Sequence, residues 1–475
     1  MEIFLPTSIY YFATVFVTRS LELLPTLGLL PSLRRGLRPR NSVRVGLLVL
    51  GLLPIHLQAD GAVPGRNAAL DELPVAPAVS LQALAAHIEQ ALILPVVDDT
   101  PGAAVAVVVE GQVILQKSYG FRRLGEPDEI NTQTLFRLAS LSKTFASAAA
   151  AIMINEAPIT WETPVQQSLQ DLNFKRSDYG ARINLHHLLS QSSGLIPHAY
   201  TNMIEDHASY KQIIDRLDRV DFVCAPGTCY GYQNVAFSLV GDVVAANVGT
   251  DYPSYVTKRI FSPLGMKRAS FGEDAFVNDN NHASPHVRDG ENWASTGTTG
   301  HYYKVPPAAG VNASIEDMTQ WLLAQLGDNP VVLSPQMLDM MQSKVVQTTR
   351  QQAHYRRRRG LTNTGYGLGW RVFDYAGDLG NVHHGGYVRG MRSEMVFNRK
   401  HQTGLVFLTN SEPGVINDMV FDFLDIYRDY RGDRDRAALR MAARVKAGAL
   451  SNQASPALEP SAQRPSSSMA PIGGS

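Results

Sequence analysis

The sequence is short of cysteine and has no excess of charge of either sign. Its 475 residues include two cysteines, and 43 lysines and arginines balance 43 aspartates and glutamates. Two cysteines are too few for a disulfide scaffold or a structural zinc site; Cys224 and Cys229 could close one small loop in an oxidising compartment or remain free thiols. A chain without net charge gives no electrostatic case for a nucleic-acid partner. A small-molecule or peptide substrate fits this balance better.

The N-terminal apolar run is also too short to span a membrane in the usual way. Five arginines between positions 34 and 44 precede an apolar run at 45–54, and small residues follow at 58–62. This order is typical of a secretory signal peptide, whereas a spanning helix needs about 20 apolar residues. We therefore expect residues 1–62 to be a leader, either cleaved as a signal peptide or kept as a membrane anchor. The protein would then be periplasmic or secreted.

After this leader, the sequence pattern predicts one large domain. Residues 63–79 are rich in Ala, Pro and Gly and are typical of a linker, a domain is expected over 80–432, and residues 433–475 are expected to be helical and then disordered. Periodicity predicts helices at 80–94, 142–154, 185–189, 234–248, 314–326 and 415–430, a hairpin turning at Glu110-Gly111, and strands at 368–373, 392–398 and 403–409. A sheet built from both ends of the chain, with a mainly helical region inserted, is the simplest architecture.

A serine and a lysine stand three residues apart where a polar loop meets the alanine-rich helix predicted over 142–154. Ser140 ends the loop, and Lys143 lies in the first turn of the helix. Positions i and i+3 share a helix face, so the lysine amine is expected beside the serine hydroxyl. A serine needs such a neighbouring base or cation to act as a nucleophile. Taken alone, this spacing is common by chance.

A second pattern places Tyr232 and Asn234 on either side of Gln233, just before the helix predicted over 234–248. In extended backbone the two outer side chains would point the same way. A tyrosine beside a cationic lysine loses its proton more easily, and lowering its pKa from about 10 to about 7 requires roughly 4 kcal/mol. Asn234 could hold a substrate carbonyl and the lysine together. By itself the pattern also describes an ordinary turn that enters a helix.

A third pattern is a pair of glycines that follows a histidine near the C-terminal end of the domain. After His384, Gly385 and Gly386 allow backbone to approach a ligand closely. The amide that follows them, on Tyr387, could donate to an oxyanion. Arg389 could bind a substrate carboxylate, although an exposed strand-end arginine is the simpler interpretation. A lone His-Gly-Gly is also found in ordinary turns.

Together and in this order, the three patterns resemble the motifs of the penicillin-recognising serine hydrolases. The resemblance is to the class C β-lactamase-like branch, which contains class C β-lactamases, DD-peptidases, D-aminopeptidases and related esterases. Its Ser-x-x-Lys, Tyr-x-Asn and His-x-Gly motifs look like Ser140/Lys143, Tyr232/Asn234 and His384/Gly386. Framing stretches that also look like the family are 185–195, 226–228, 263–266 and 366–370. The resemblance covers roughly residues 80–430.

The resemblance implies a β-lactamase/transpeptidase-like α/β (α+β) fold, in which helices flank an antiparallel sheet. It implies that Ser140 is acylated, that Lys143 and Tyr232 move its proton, and that the amides of Ser140 and Tyr387 form an oxyanion hole. Asn234, His384, Gly386 and Tyr387 would bind the substrate. No cofactor and no metal are implied, and the histidines at 282, 286 and 301 show no recognisable metal-ligand spacing.

Three activities remain open at this point. The first is hydrolysis of β-lactams, which would confer antibiotic resistance, or of D-amino-acid peptides, and within this pair we lean to β-lactams. The second is a carboxylesterase of the same fold, and the third is a penicillin-binding sensor or scaffold with little turnover. His384 stands where class C enzymes carry a lysine and is usually neutral at pH 7, which disfavours efficient β-lactam hydrolysis. No Gly-x-Ser-x-Gly elbow of an α/β-hydrolase occurs.

Overall fold

The computed structural model describes residues 80–453 except 350, 351, 353, 354, 356, 357 and 415. The predicted leader, the linker and the last part of the predicted tail lie outside the described residues. Within the described part of the chain, no helix is both long and apolar enough to cross a membrane.

The described residues contain thirteen strands, of which eight form one large sheet at the core of the fold, three form a second sheet and two form a third. The strands are β1 (Gly102–Val109), β2 (Gln112–Gly120), β3 (Phe136–Arg137), β4 (Ser270–Phe271), β5 (His286–Asp289), β6 (Asn292–Ser295), β7 (Val311–Ala313), β8 (Val346–Gln347), β9 (Leu361–Tyr366), β10 (Arg371–Tyr375), β11 (Asp378–Val388), β12 (Met391–Asn398) and β13 (Thr403–Thr409). The order in the large sheet is β2-β1-β13-β12-β11-β10-β9-β8, and every neighbouring pair is antiparallel. The second sheet has the order β3-β7-β4, and the third is the pair β5-β6. The predicted antiparallel sheet from both chain ends is therefore confirmed.

Helices fill the middle of the chain and cover the sheet. They are α1 (Leu81–Ile88), α2 (Leu94–Val97), α3 (Ser142–Ile154), α4 (Val165–Ser168), α5 (Ser177–Gly180), α6 (Leu185–Leu189), α7 (Thr201–Glu205), α8 (Tyr210–Ile214), α9 (Asn234–Val248), α10 (Tyr252–Val256), α11 (Glu273–Val277), α12 (Pro306–Ala309), α13 (Ile315–Leu326), α14 (Pro335–Gln342) and α15 (Ile416–Gln453). A π-helical turn, Glu89–Ile93, joins α1 to α2, and a second one, Thr257–Phe261, follows α10. At α13, Ser314 and Asp317 form the capping box that satisfies the first backbone amides.

The sheet packs against helices on both of its faces. Along β1, alternate side chains enter two different cores, because successive residues of a strand point to opposite faces. Residues 103, 105, 107 and 109 pack with α1 and α15, whereas residues 104, 106 and 108 pack with α3 and α13. Helix α3 is buried from Ser142 to Met153, between the sheet and the inserted helices. A residue at the start of α3 is thus held in place from every side.

Two predicted boundaries are wrong for physical reasons. The strand expected over 368–373 begins only at Arg371, because Gly369 has a left-handed φ of +75° that interrupts extended backbone. A Cβ on Gly369 would lie 2.7 Å from the carbonyl oxygen of Lys143, so this turn packs directly on α3. The helix predicted near 415–430 has no end at Tyr430 and runs without a break to Gln453, so α15 includes the start of the tail that was expected to be helical; Arg431 of this helix pairs with Asp378.

Candidate active site

Ser140 lies in a 3-10 turn, Ala139–Leu141, that leads directly into α3. Ala139 has a φ of +47°, a backbone conformation that costs a residue with a side chain about 1–3 kcal/mol. Neighbours hold the turn in place: the Ser393 hydroxyl donates to the carbonyl of Leu138 at 2.7 Å, and the Leu138 amide donates to Val311. The nucleophile candidate is therefore presented by a tethered, strained turn.

Lys143 lies one turn further on and is completely buried. Its Nζ is 3.2 Å from Ser140 Oγ, 2.7 Å from Asn234 Oδ1 and 3.0 Å from the carbonyl oxygen of Ala308. Burial, and then the positive charge of Arg371, hold the pKa of Lys143 well below its usual range. In its neutral form, which burial favours, the amine has two N–H donors for the two carbonyl oxygens and one lone pair for the serine proton. This arrangement can accept the proton of Ser140.

Tyr232 approaches the same serine from the segment that leads into α9. Its hydroxyl donates to Ser140 Oγ at 3.0 Å, and its ring faces Lys143 Nζ at 4.8 Å from the ring centroid. Burial raises the pKa of Tyr232, although the charge of Arg371 acts in the opposite direction. The predicted lowering of this pKa is therefore wrong. It assumed a cationic lysine, whereas burial disfavours the charged forms of both groups. Tyr232 is a protonated donor in this arrangement.

The third motif lies on β11, beside the nucleophile turn. A Cβ on Gly386 would be 2.0 Å from the carbonyl oxygen of Leu138 and 2.4 Å from Ser393 Oγ, so only glycine fits here. This close approach places Gly386 and Tyr387 on the wall of the cavity that contains Ser140. The contact explains the glycine of the motif in steric terms.

His384 lies behind this wall instead of on it. Its side chain is buried, the Tyr366 hydroxyl lies 2.8 Å from Nε2, and Nδ1 lies 2.8 Å from the carbonyl oxygen of Gly385. Burial, followed by the charge of Arg371, holds the pKa of His384 well below its usual range. The predicted substrate contact of His384 is therefore replaced by a contact with Tyr366. A neutral, buried imidazole supplies no cation to a ligand.

A cavity of about 550 Å³ lies beside Ser140, Tyr232 and Gly386. Five of the residues predicted from sequence line it: Ser140, Tyr232, Asn234, Gly386 and Tyr387. It is also lined by residues that the sequence analysis missed, among them His198, Tyr230, Tyr302, Gln352, Arg371, Arg392 and Glu394. Of these residues, only Arg371 had a signal in the sequence that could have indicated its place in the site, because it directly follows the framing stretch 366–370. Ala308 left no signal, because it acts through its backbone oxygen.

The two cysteines lie in the loop that precedes the tyrosine motif. In the structure the sulfurs of Cys224 and Cys229 are bonded to each other. The loop then docks on the segment after α6, where Gly231 donates its amide to Gln191 O and Gln233 donates its amide to Gln191 Oε1. Tyr232, which lies between these two contacts, is held against Ser140 by both of them.

This fold and this arrangement of serine, lysine, tyrosine and asparagine define the β-lactamase/transpeptidase-like class of proteins. The family model described as Beta-lactamase matches residues 90–421, and the chain belongs to this family. The predicted resemblance to the penicillin-recognising serine hydrolases is therefore confirmed.

Among the curated relatives, Protein flp of Staphylococcus aureus (strain MRSA252) is 26% identical over 330 residues, which is 65% of this chain and 59% of that protein. The D-aminopeptidase of Brucella anthropi is 26% identical over 356 residues, covering 69% of this chain and 59% of the enzyme. The chain thus spans somewhat more than half the length of these relatives.

Two solved structures share the fold with a TM-score of 0.60 each. One is an octameric penicillin-binding protein homologue from Pyrococcus abyssi, 20% identical, for which the match covers 72% of this chain and 76% of that one. The other is EstCE1, a hydrolase with promiscuous acyltransferase activity, 19% identical, with 72% of this chain and 99% of that one covered.

Proposed function

We propose that this chain is an exported serine hydrolase that forms an acyl-enzyme at Ser140 and hydrolyses β-lactams or D-amino-acid peptides. One observation carries the proposal: Ser140 Oγ lies within hydrogen-bonding distance of both Lys143 Nζ and Tyr232 OH, on the wall of a cavity. A hydroxyl with a base on one side and a proton donor on the other has what acyl transfer requires.

The geometry supports a definite sequence of proton transfers. Lys143 takes the proton of Ser140 as Oγ attacks the carbonyl carbon, and a negative tetrahedral oxygen forms. Amides of Ser140 and Tyr387 would stabilise that oxygen, a contribution of about 3 kcal/mol in such sites. The proton then passes to the leaving nitrogen through the phenol of Tyr232, the C–N bond breaks, and an ester to Ser140 remains. A water activated by the same pair hydrolyses this ester.

A carboxylesterase is the second candidate, and His384 favours it. Class C enzymes carry a lysine at this position, whereas here the imidazole is neutral and buried against Tyr366. Ester cleavage depends less on general-acid catalysis than amide cleavage does, because the leaving oxygen does not have to be protonated as fully. A penicillin-binding sensor with little turnover is less favoured, since the lysine and the tyrosine that deacylation requires both contact Ser140.

Export remains part of the proposal. It is supported by the basic and apolar pattern before residue 62 and by a cysteine pair at a distance that permits a disulfide.

Turnover and intact mass, measured on the same protein, test the proposed activity. The full chain is incubated with a chromogenic cephalosporin, a peptide ending in D-Ala-D-Ala, and 4-nitrophenyl hexanoate. Turnover of one class assigns the activity, and a stable mass adduct without turnover assigns the sensor. Ser140→Ala is expected to lower turnover at least about 1,000-fold and to abolish any adduct.

Ser142→Ala is the matched control for this serine. Its hydroxyl accepts a hydrogen bond from the Val311 amide at 3.0 Å and is turned away from the cavity. We expect this variant to keep its turnover. Full activity in Ser140→Ala, or an adduct that maps to another residue, would show that the proposed mechanism is wrong.

A further inference from the structure

Helix α15 extends past the surface on which its first half packs. Up to Tyr430 one of its faces is buried: Tyr427 is 4% exposed and Tyr430 is 5% exposed. Among the described residues, the last side chain of the helix that pairs with the domain is Arg434, which forms an ion pair with Glu110. We call residues 435–446 of α15 the extension. From position 438 onward, every side chain described in the extension is exposed.

The buried face of α15 continues along the extension as an uncovered apolar stripe. In steps of three and four residues, the face that contains Tyr430 and Arg434 passes on to Ala438, Met441 and Val445. We call these last three residues the exposed stripe. Met441 is 63% exposed and Val445 is 64% exposed. An apolar stripe that continues a buried face without a cover indicates a surface that another body contacts.

The remaining sides of the extension are basic. Arg440 and Lys446 are exposed, and Arg436 pairs with Asp433 one turn earlier in the same helix. The sequence at 436–458 contains four Arg or Lys residues and no Asp or Glu. The extension is therefore amphipathic and carries a net positive charge, a combination that is typical of helices that bind a membrane surface.

The positive charge decides what can cover the exposed stripe. A second copy of this chain would bring an equally basic helix to the same place, and like charges at short distance repel each other. Nucleic acid would match the charge but would not bury Met441 and Val445. An anionic bilayer supplies both partners, because its headgroups attract each Arg or Lys by about 1 kcal/mol and its acyl chains accept apolar side chains.

We propose that the extension binds the surface of anionic phospholipid membranes, with the exposed stripe inserted among the lipids and the basic side chains at the headgroups. The contact is reversible, because a few apolar side chains hold a protein far less firmly than a spanning helix does. It attaches the domain through the C-terminal part of α15 and does not require the predicted leader. The inference is independent of the proposed hydrolase activity, and its test uses no substrate.

A dye placed in the exposed stripe tests the proposal on the full chain. Ala438→Cys is labelled with a maleimide derivative of the dye NBD while Cys224 and Cys229 are bonded to each other, and intact mass checks that one label is present. With vesicles of phosphatidylglycerol and phosphatidylcholine, we expect the emission to move to shorter wavelength and to be quenched by brominated lipid. The shift is expected to weaken in about 0.5 M NaCl, which screens the attraction between charges. Because the dye reports on its own surroundings, attachment of the leader alone leaves its emission unchanged.

Met441→Asp tests the exposed stripe, and Leu439→Asp is its matched control. Leu439 is 71% exposed and stands about 160° around the helix from Met441, on the basic side. Both variants add the same charge to the same helix, but only Met441→Asp places it in the stripe. In a vesicle titration of the labelled chain, we expect Met441→Asp to weaken binding at least about tenfold more than Leu439→Asp does. Equal losses in the two variants would overturn the insertion of the stripe.

The double variant Arg440→Gln/Lys446→Gln tests the contribution of charge, and Lys258→Gln/Lys267→Gln is its control. Lys258 and Lys267 are exposed lysines outside α15, so the control removes the same net charge from another part of the surface. We expect the first variant to bind phosphatidylglycerol vesicles about tenfold more weakly and the control to bind like the wild type. An equal emission shift with vesicles of phosphatidylcholine alone would overturn the preference for an anionic surface.

Two further outcomes would contradict the proposal. If the emission does not shift with any vesicle, the exposed stripe does not enter a bilayer. If the emission shifts without vesicles and the shift grows with protein concentration, a second copy of the chain covers the stripe. All of the substituted residues are exposed, so thermal unfolding of every variant is expected to match the wild type, which excludes misfolding as the cause of weaker binding.

Discussion

At the scale of single residues, the buried amine of Lys143 links activity to the stability of the fold. In the unfolded chain a lysine binds a proton below about pH 10.4, whereas folded Lys143 stays neutral down to its lowered pKa. Between those two values the unfolded state binds more protons, so the free energy of unfolding rises with pH. The stability is lost again as the pH falls through this window.

Lys143→Met removes this dependence. Between about pH 8.5 and about pH 9.5, the free energy of unfolding of the wild type is expected to rise relative to the variant, with an upper limit of about 1.4 kcal/mol for one proton. Urea denaturation at both values measures the difference. Lys211→Met is the control, because the side chain of Lys211 is 83% exposed and its replacement is expected to leave the slope unchanged. The same slope in the wild type and Lys143→Met would mean that Lys143 is charged in the fold.

Sequence spacing predicted which of these residues meet but not how they are charged. Ser140 and Lys143 meet because they lie one helical turn apart, a relation that sequence distance alone defines. The direction of the pKa shift of Tyr232 could not be predicted, because it depends on burial under distant segments and on Arg371, far along the chain. For the same reason the contact of His384 with Tyr366 replaced the expected contact with substrate.

At the scale of elements, the close packing of β11 on the nucleophile turn yields a steric prediction. Gly386→Ala places a Cβ into the carbonyl of Leu138 and the hydroxyl of Ser393, so either β11 or the turn must move. We expect a loss of about 1–3 kcal/mol in the free energy of unfolding. Because Ser140 follows Leu138 closely, kcat is expected to fall more than KM changes.

Gly297→Ala serves as the control for this substitution, since nothing lies within 4 Å of the added Cβ. Chemical denaturation and ester kinetics on both variants provide the comparison. Wild-type kcat in Gly386→Ala would show that the contact between β11 and the turn does not position the nucleophile.

Elements with local signals were predicted well, and those defined by tertiary contacts were not. The hairpin between β1 and β2 turns at Glu110 and Gly111, whose φ values of +54° and +73° suit a two-residue turn. Helix α3 has the bounds, Ser142–Ile154, that were predicted from its alanine-rich sequence. By contrast, β10 starts later than predicted because Gly369 packs on Lys143. The absence of a break in α15 between the predicted helix and the predicted helical tail was also missed, and Arg434 beyond that point forms an ion pair with Glu110.

At the scale of the whole molecule, the site is assembled from three distant parts of the chain. The antiparallel order places β13 and β12 between β1 and β11, so both chain ends build one sheet beside α3. The order of the three motifs predicted this fold through a resemblance, not through physical derivation. Arg371 carries no motif, and only the folded sheet shows that it enters the same cavity as Ser140.

The compartment in which the whole chain folds determines the state of its two cysteines, so their redox state reports export. Cys224 and Cys229 are the only cysteines in the sequence. While their sulfurs are bonded to each other they have no free thiol, so they do not react with a maleimide until the bond is reduced. We expect the full chain, produced in a bacterium, to gain no mass from a maleimide polymer before reduction and two additions after it. A chain that lacks residues 1–62 is expected to react twice without reduction, because it stays in the reducing cytoplasm. Two additions to the unreduced full chain would contradict export, since the leader would then fail to deliver the domain to an oxidising compartment.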